Sequence, residues 1–142
     1  MVLCCLEEFK VEFDKLKSKN SYSGVEQQII DYFFNKPLEN LKSGTRLNQS
    51  DTAPYIKKRL KGRGGYRCYF LLLIKKSTLY LMFIHPKTGS LGAENITDDT
   101  KKELYKKVYQ SIKLKDYYTL SLSDDKSEIK FTRKISTSGT HE

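Results

Sequence analysis

The sequence predicts an α+β fold: a helical hairpin packed on a twisted antiparallel sheet, with a C-terminal helix and an extra hairpin. Three observations predict it. Apolar residues recur at helical spacing over the first third of the chain, the period changes to two after residue 53, and helical spacing returns once near residue 98. With 142 residues and 38% hydrophobic content the chain can build one core but not two. Residues 1–133 therefore read as a single domain, and 134–142, containing STSGTHE, as a disordered tail.

The first helix rests on Leu6, Phe9, Phe13 and Leu16, with Glu7, Glu8, Lys10, Asp14 and Lys17 between them. Ser23-Gly24-Val25-Glu26 has the form of a capping box, and Val25, Ile29, Tyr32 and Phe33 mark one face of a second helix that should fade before Pro37. The short link KNSYS folds the two into a hairpin. After a polar loop, Tyr55, Lys57 and Arg59 share one side of a strand, with Ile56, Lys58 and Leu60 on the other. Gly62, Gly64 and Gly65 end it in a turn. Arg67 to Ile74 and Thr78 to Ile84, separated by KKS, read as a β-hairpin central in the sheet. Pro86 ends the second run, and HPKTGSLGAEN is a loop. Thr97 or Asp98 caps a third helix along Leu104, Val108 and Ile112, after which YYTLSLS and EIKFTRK flank DDKS as a more polar hairpin.

The charge is concentrated. Residues 1–51 carry 7 basic and 8 acidic side chains and residues 94–142 carry 10 and 9. The 42 residues between them hold Lys57, Lys58, Arg59, Lys61, Arg63, Arg67, Lys75, Lys76 and Lys87, with no Asp or Glu, so the net +9 belongs to this block. Such a block attracts phosphate-rich or acidic partners. A surface that serves solubility alone mixes both signs. If Cys68, Phe70, Leu72 and Ile74 pack under the helices, Arg67 and Tyr69 point to the opposite side, which becomes a concave platform for a polyanion.

Cysteine says less. Cys4, Cys5 and Cys68 form neither a disulfide framework nor a zinc spacing and read as idle thiols of a reducing cytoplasm. MVLCCL gives way to Glu7 and Glu8 too soon for a signal peptide, and nothing approaches a membrane span. G-R-G-G lacks the spacing and the Lys-Ser/Thr of a phosphate loop.

The segment YIKKRLKGRGGYRCYFLLLIKKSTLYLMFIHPKTGSLGAENITDDTKKELYKKV, with the helical hairpin before it, resembles the RelE/ParE superfamily of toxins from bacterial toxin–antitoxin modules. The likeness covers roughly residues 6–113 and leaves the C-terminal hairpin without a counterpart. It implies a small domain with a twisted antiparallel sheet, helices on one side, and a cognate antitoxin protein as partner. RelE-like members are ribonucleases that cut messenger RNA, often on the ribosome, without a metal or other cofactor. ParE-like members inhibit DNA gyrase by protein contact. The resemblance matches Lys57, Lys58, Arg59 and Lys61 to the family's basic strand and turn, Arg67 to the arginine after the glycines, and His85 with Lys87 to a further cationic position. Tyr117 and Tyr118 could stand for a C-terminal tyrosine of many RelE-like sites if the extra hairpin folds back across the sheet.

Those residue types suit RNA cleavage by the ribose 2′-hydroxyl, which needs a proton acceptor, a proton donor and positive charge on the phosphorane. Arg67, Arg59, Lys58 and His85 are the catalytic candidates: arginine offers a bidentate fork and histidine titrates near neutrality. A lysine could act as base where neighbouring cations lower its pKa. Lys57, Lys61, Arg63 and Lys87 would hold phosphates, and Tyr66 and Tyr69 would stack on bases. The function expected is a metal-independent messenger-RNA endoribonuclease toxin in the cytoplasm. A contact inhibitor, or a nucleic-acid-binding regulator on the same scaffold, remains open.

Overall fold

The computed structural model describes residues 1–34, 36–62, 65–87 and 96–134. The helices have the composition that places them. In α1 (Glu7–Lys17) Phe9, Phe13 and Leu16 make one buried stripe, with Glu7 and Glu8 at the positive end of the helix dipole and Lys15 and Lys17 at the negative end. Helix α2 (Val25–Ile29) runs on as a π-helical turn, Ile30–Phe34, that buries Ile30 and Phe33. Helix α3 (Asp98–Leu114) starts at Thr97, whose Oγ1 accepts the Thr100 amide at 3.1 Å.

Among the described residues seven strands follow in chain order: β1 (Val2–Cys5), β2 (Thr45–Arg46), β3 (Tyr55–Leu60), β4 (Tyr66–Leu73), β5 (Thr78–Pro86), β6 (Tyr117–Leu122) and β7 (Ile129–Lys134). They form one mostly antiparallel sheet in the order β2-β3-β4-β5-β1-β6-β7. The α+β class is as expected. The strand β1 was not: it runs parallel to β5 and antiparallel to β6, and so joins the C-terminal hairpin to the central strands.

Two cores lie on the two faces of the sheet. On the first, Phe9, Phe13, Ile29 and Phe33 of the helical hairpin pack on Ile56, Cys68, Phe70, Leu72 and Leu81. Complete burial of side chains this size contributes roughly 1.5–3 kcal/mol each. On the second, Leu104 and Val108 of α3 pack on Tyr55, Tyr69, Leu71, Tyr80 and Met82. Helices on one side only was the expectation, and α3 corrects it. Its Leu104 and Val108 needed an apolar surface, and the Tyr55–Leu71–Tyr80 end of the second face supplies one.

The expected capping box does not form. Glu26 instead accepts the Ile129 amide at 2.8 Å and pairs with Lys17 at 3.3 Å, tying α2 to the last hairpin. The expected tail, apart from Lys134 at the end of β7, and most of the HPKTGSLGAEN loop lie outside the described residues. Among the described residues no helix is long and apolar enough to cross a membrane.

Candidate functional site

Strand register builds the site. Along β3, Tyr55, Lys57 and Arg59 share the second face, while Ile56 and Leu60 are buried in the first core. Arg59 lies opposite Arg67, and Lys57 opposite Tyr69. On the next strand Arg67 lies opposite His85 and Tyr69 opposite Phe83. Directly opposed residues hold their Cβ atoms about 4.5–5.5 Å apart. Arg59, Arg67 and His85 thus form one row across three strands, and Lys57 begins the row beside it.

A bulge puts His85 there. The β4–β5 register shifts between Tyr69 and Phe70, so that Tyr69 pairs with Phe83 but Phe70 with Leu81. Met82 is the extra residue, and Met82 and Phe83 both belong with the second core. Strict alternation from Leu81 would aim His85 at the helical hairpin. With the added residue Ile84 goes into the first core and His85 comes to the Arg67 side.

His85 is 6% exposed. Its Nδ1 lies 3.0 Å from the Pro86 carbonyl oxygen, which can only accept, so Nδ1 carries the proton. Nε2 then accepts from the Tyr69 hydroxyl at 3.3 Å. Tyr69 in turn has a backbone hydrogen bond from Ile96, just before α3, and burial raises its pKa so that it stays a donor. Burial, with Arg67 and Lys57 nearby, lowers the His85 pKa below the ordinary histidine value. The ring is a neutral, fixed partner of the row.

Lys57 is perturbed as well. Burial first, then the charges of Lys101, Arg67 and Arg59, lower its pKa. A cleft of about 290 Å³ lined by Gly44, Thr45, Lys57, Lys58, Arg59 and Arg67 opens at this edge of the sheet. Gly44 (φ +128°) makes the close approach: a Cβ there would meet the Lys57 carbonyl oxygen at 2.8 Å and Ile56 Cγ2 at 2.7 Å.

Several expected site residues fall elsewhere. Lys58 borders the cleft, but its side chain alternates to the first face, where its Nζ lies 3.1 Å from Ser43 Oγ and 5.4 Å from the Tyr32 ring centroid. Lys61 joins it on a second cleft, which Gln28, Asp31 and Tyr32 line and which Arg59 also borders at the sheet edge. Tyr66, expected to stack on bases, is 1% exposed in the first core, edge-on to Tyr22 at 6.3 Å. Tyr69 is wholly buried, so it positions His85 and offers no open ring. Arg63 lies outside the described residues. Lys87 follows the row, its amide donating to the Gly65 carbonyl at 3.0 Å. Tyr118 packs with the first core and donates to Glu7 at 2.8 Å, and Tyr117 sits edge-on to Tyr80. Lys101, on α3, is the cation that sequence reasoning missed. Only the packing of that helix brings it to Lys57.

Among the described residues no group of three His, Cys, Asp or Glu side chains could hold a metal ion. No protein-family model matches the chain, and no curated protein matches it either.

Proposed function

We propose that the chain is a metal-independent endoribonuclease on a RelE/ParE-like scaffold, acting as the toxin of a toxin–antitoxin module. The observation that carries this reading is the row Arg59–Arg67–His85 beside Lys57 on one face, next to an open cleft. A phosphodiester in that cleft meets two guanidinium groups whose charge is independent of pH.

Lys57 is the proton acceptor: burial, then the charges of three cations, lower its pKa, the direction a base needs. It takes the proton of the ribose 2′-hydroxyl. The 2′-oxygen bonds to phosphorus, Arg59 and Arg67 stabilise the added negative charge, and the bond to the 5′-oxygen breaks. Water returns a proton to that oxygen, leaving a 2′,3′-cyclic phosphate and a 5′-hydroxyl. His85, held by Tyr69 and Pro86, is a positioning residue that packs beside Arg67.

A second reading, RNA binding without cleavage, draws on the same two hydrogen bonds, since they leave His85 a poor proton donor. Incubating the chain with naked RNA and with translating ribosomes, in EDTA, separates the two. Cyclic-phosphate fragments that vanish in Arg67→Ala are expected. Salt-sensitive binding without fragments favours the second reading, and growth arrest with falling supercoiling and intact RNA favours a gyrase-type contact inhibitor.

A further inference from the structure

The second face passes from charged to aromatic along β3, and a larger cleft opens where it does. About 450 Å³ in volume, it lies between the β2–β3 loop and the first turns of α3, walled by Leu47, Tyr55 and Tyr105 and rimmed by Lys101, Lys102 and Lys106. The walls are fixed by bonds internal to the fold. Tyr55 and Tyr105 stack at 5.2 Å with 15° between their planes. The Asn48 amide group donates to the Ala53 carbonyl at 2.9 Å and to the Tyr105 hydroxyl at 3.3 Å, while its oxygen accepts the Tyr55 amide at 2.9 Å. The Tyr55 hydroxyl donates to the Lys101 carbonyl at 2.9 Å. What remains to a ligand is apolar wall under a cationic rim, in which Asp98 engages Lys101 at 3.5 Å.

We propose that this cleft receives a base of single-stranded RNA, next to the phosphate held by Lys57, Arg59 and Arg67. The inference rests on the reading of RNA as the ligand and adds where a neighbouring nucleotide is held. Two observations choose this occupant. Tyr55 lies two residues from Lys57 on the same side of β3, about 7 Å away, a separation that one nucleotide step can span. Lys101 belongs to both places: it rims the cleft and its charge acts on Lys57. A rim of three lysines disfavours an uncharged apolar ligand and favours one that carries phosphate with a flat ring.

The test uses the full chain and two fluorescein-labelled 2′-O-methyl hexamers, hexaadenylate and an abasic strand of the same charge, neither of which can be cleaved. Fluorescence anisotropy should show hexaadenylate binding about tenfold tighter than the abasic strand. Tyr105→Ala should remove that tenfold while leaving abasic binding within about twofold, Tyr105→Phe should keep it, and Arg67→Ala should weaken both strands alike. Equal affinity of the unchanged chain for the two strands, or equal loss of both in Tyr105→Ala, overturns the base site while Arg67 still matters. If neither strand binds and Arg67→Ala changes nothing, the reading of RNA as ligand fails with it.

Discussion

Lys57 and His85 show how one environment gives two residues different work. Both feel Arg67 and both lose water to the fold; Lys57 lines the cleft, and His85 is held through both ring nitrogens. Removing a neighbouring cation lets the Lys57 amine regain its proton more readily. Lys101→Ala should therefore move the acid limb of the pH–rate profile for RNA cleavage to higher pH, and an unmoved limb would mean that Lys57 is not the base. For His85 the lowered pKa has the opposite consequence, felt in stability. The unfolded chain protonates it at about pH 6.5, so below that pH the unfolded state binds more protons and the fold loses stability as pH falls toward the lower folded value. Above about pH 6.5 its contribution is complete. Thermal melts between about pH 7 and about pH 5 should fall less steeply for His85→Gln than for the parent chain, and parallel slopes would contradict the buried neutral ring. Tyr69→Phe removes the hydroxyl donor and should cost about 0.5–1.5 kcal/mol in a denaturant titration.

Helix and strand identities were legible wherever a period was sustained. Phe9, Phe13 and Leu16 announce α1, and Lys57 and Arg59 separate from Lys58 by alternation alone. The first strand was not legible, because VLCC is four residues with no alternation and runs straight into a helical pattern. The aim of His85 was hidden for a related reason. Thr78 to Ile84 is nearly continuous apolar sequence, and nothing in it marks Met82 as the bulged residue. The stripe of α3 was visible, but a stripe does not say which face of a sheet it will cover. Glu26 looked like a cap because its spacing from Ser23 fits one. The approach of β7 to within hydrogen-bond reach gave it another partner, Ile129, 103 residues away. Glu26→Ala leaves that buried amide without its acceptor and should destabilise by about 1–3 kcal/mol. A loss below about 0.5 kcal/mol on chemical denaturation would show that the link between α2 and the last hairpin carries little of the fold.

Across the molecule, one sheet separates two kinds of surface. The helical hairpin closes the first face with apolar packing, while α3 covers the aromatic end of the second and leaves the cleft of Arg59, Arg67 and Lys57 beside it. Binding of single-stranded RNA should weaken with salt, and Arg59→Ala should lower the slope of log affinity against log salt by about 0.7, the share of one phosphate contact. The sharpest contrast lies between neighbours in sequence that alternation sends to opposite faces. Single-turnover RNA cleavage by Arg59→Ala and Lys58→Ala compares them directly. Arg59→Ala should cut the rate about a hundredfold or more, the scale of losing a charged donor to the phosphorane, with Lys58→Ala within about threefold of the parent. A severe loss in Lys58→Ala beside a mild one in Arg59→Ala would place the chemistry on the other face of the sheet.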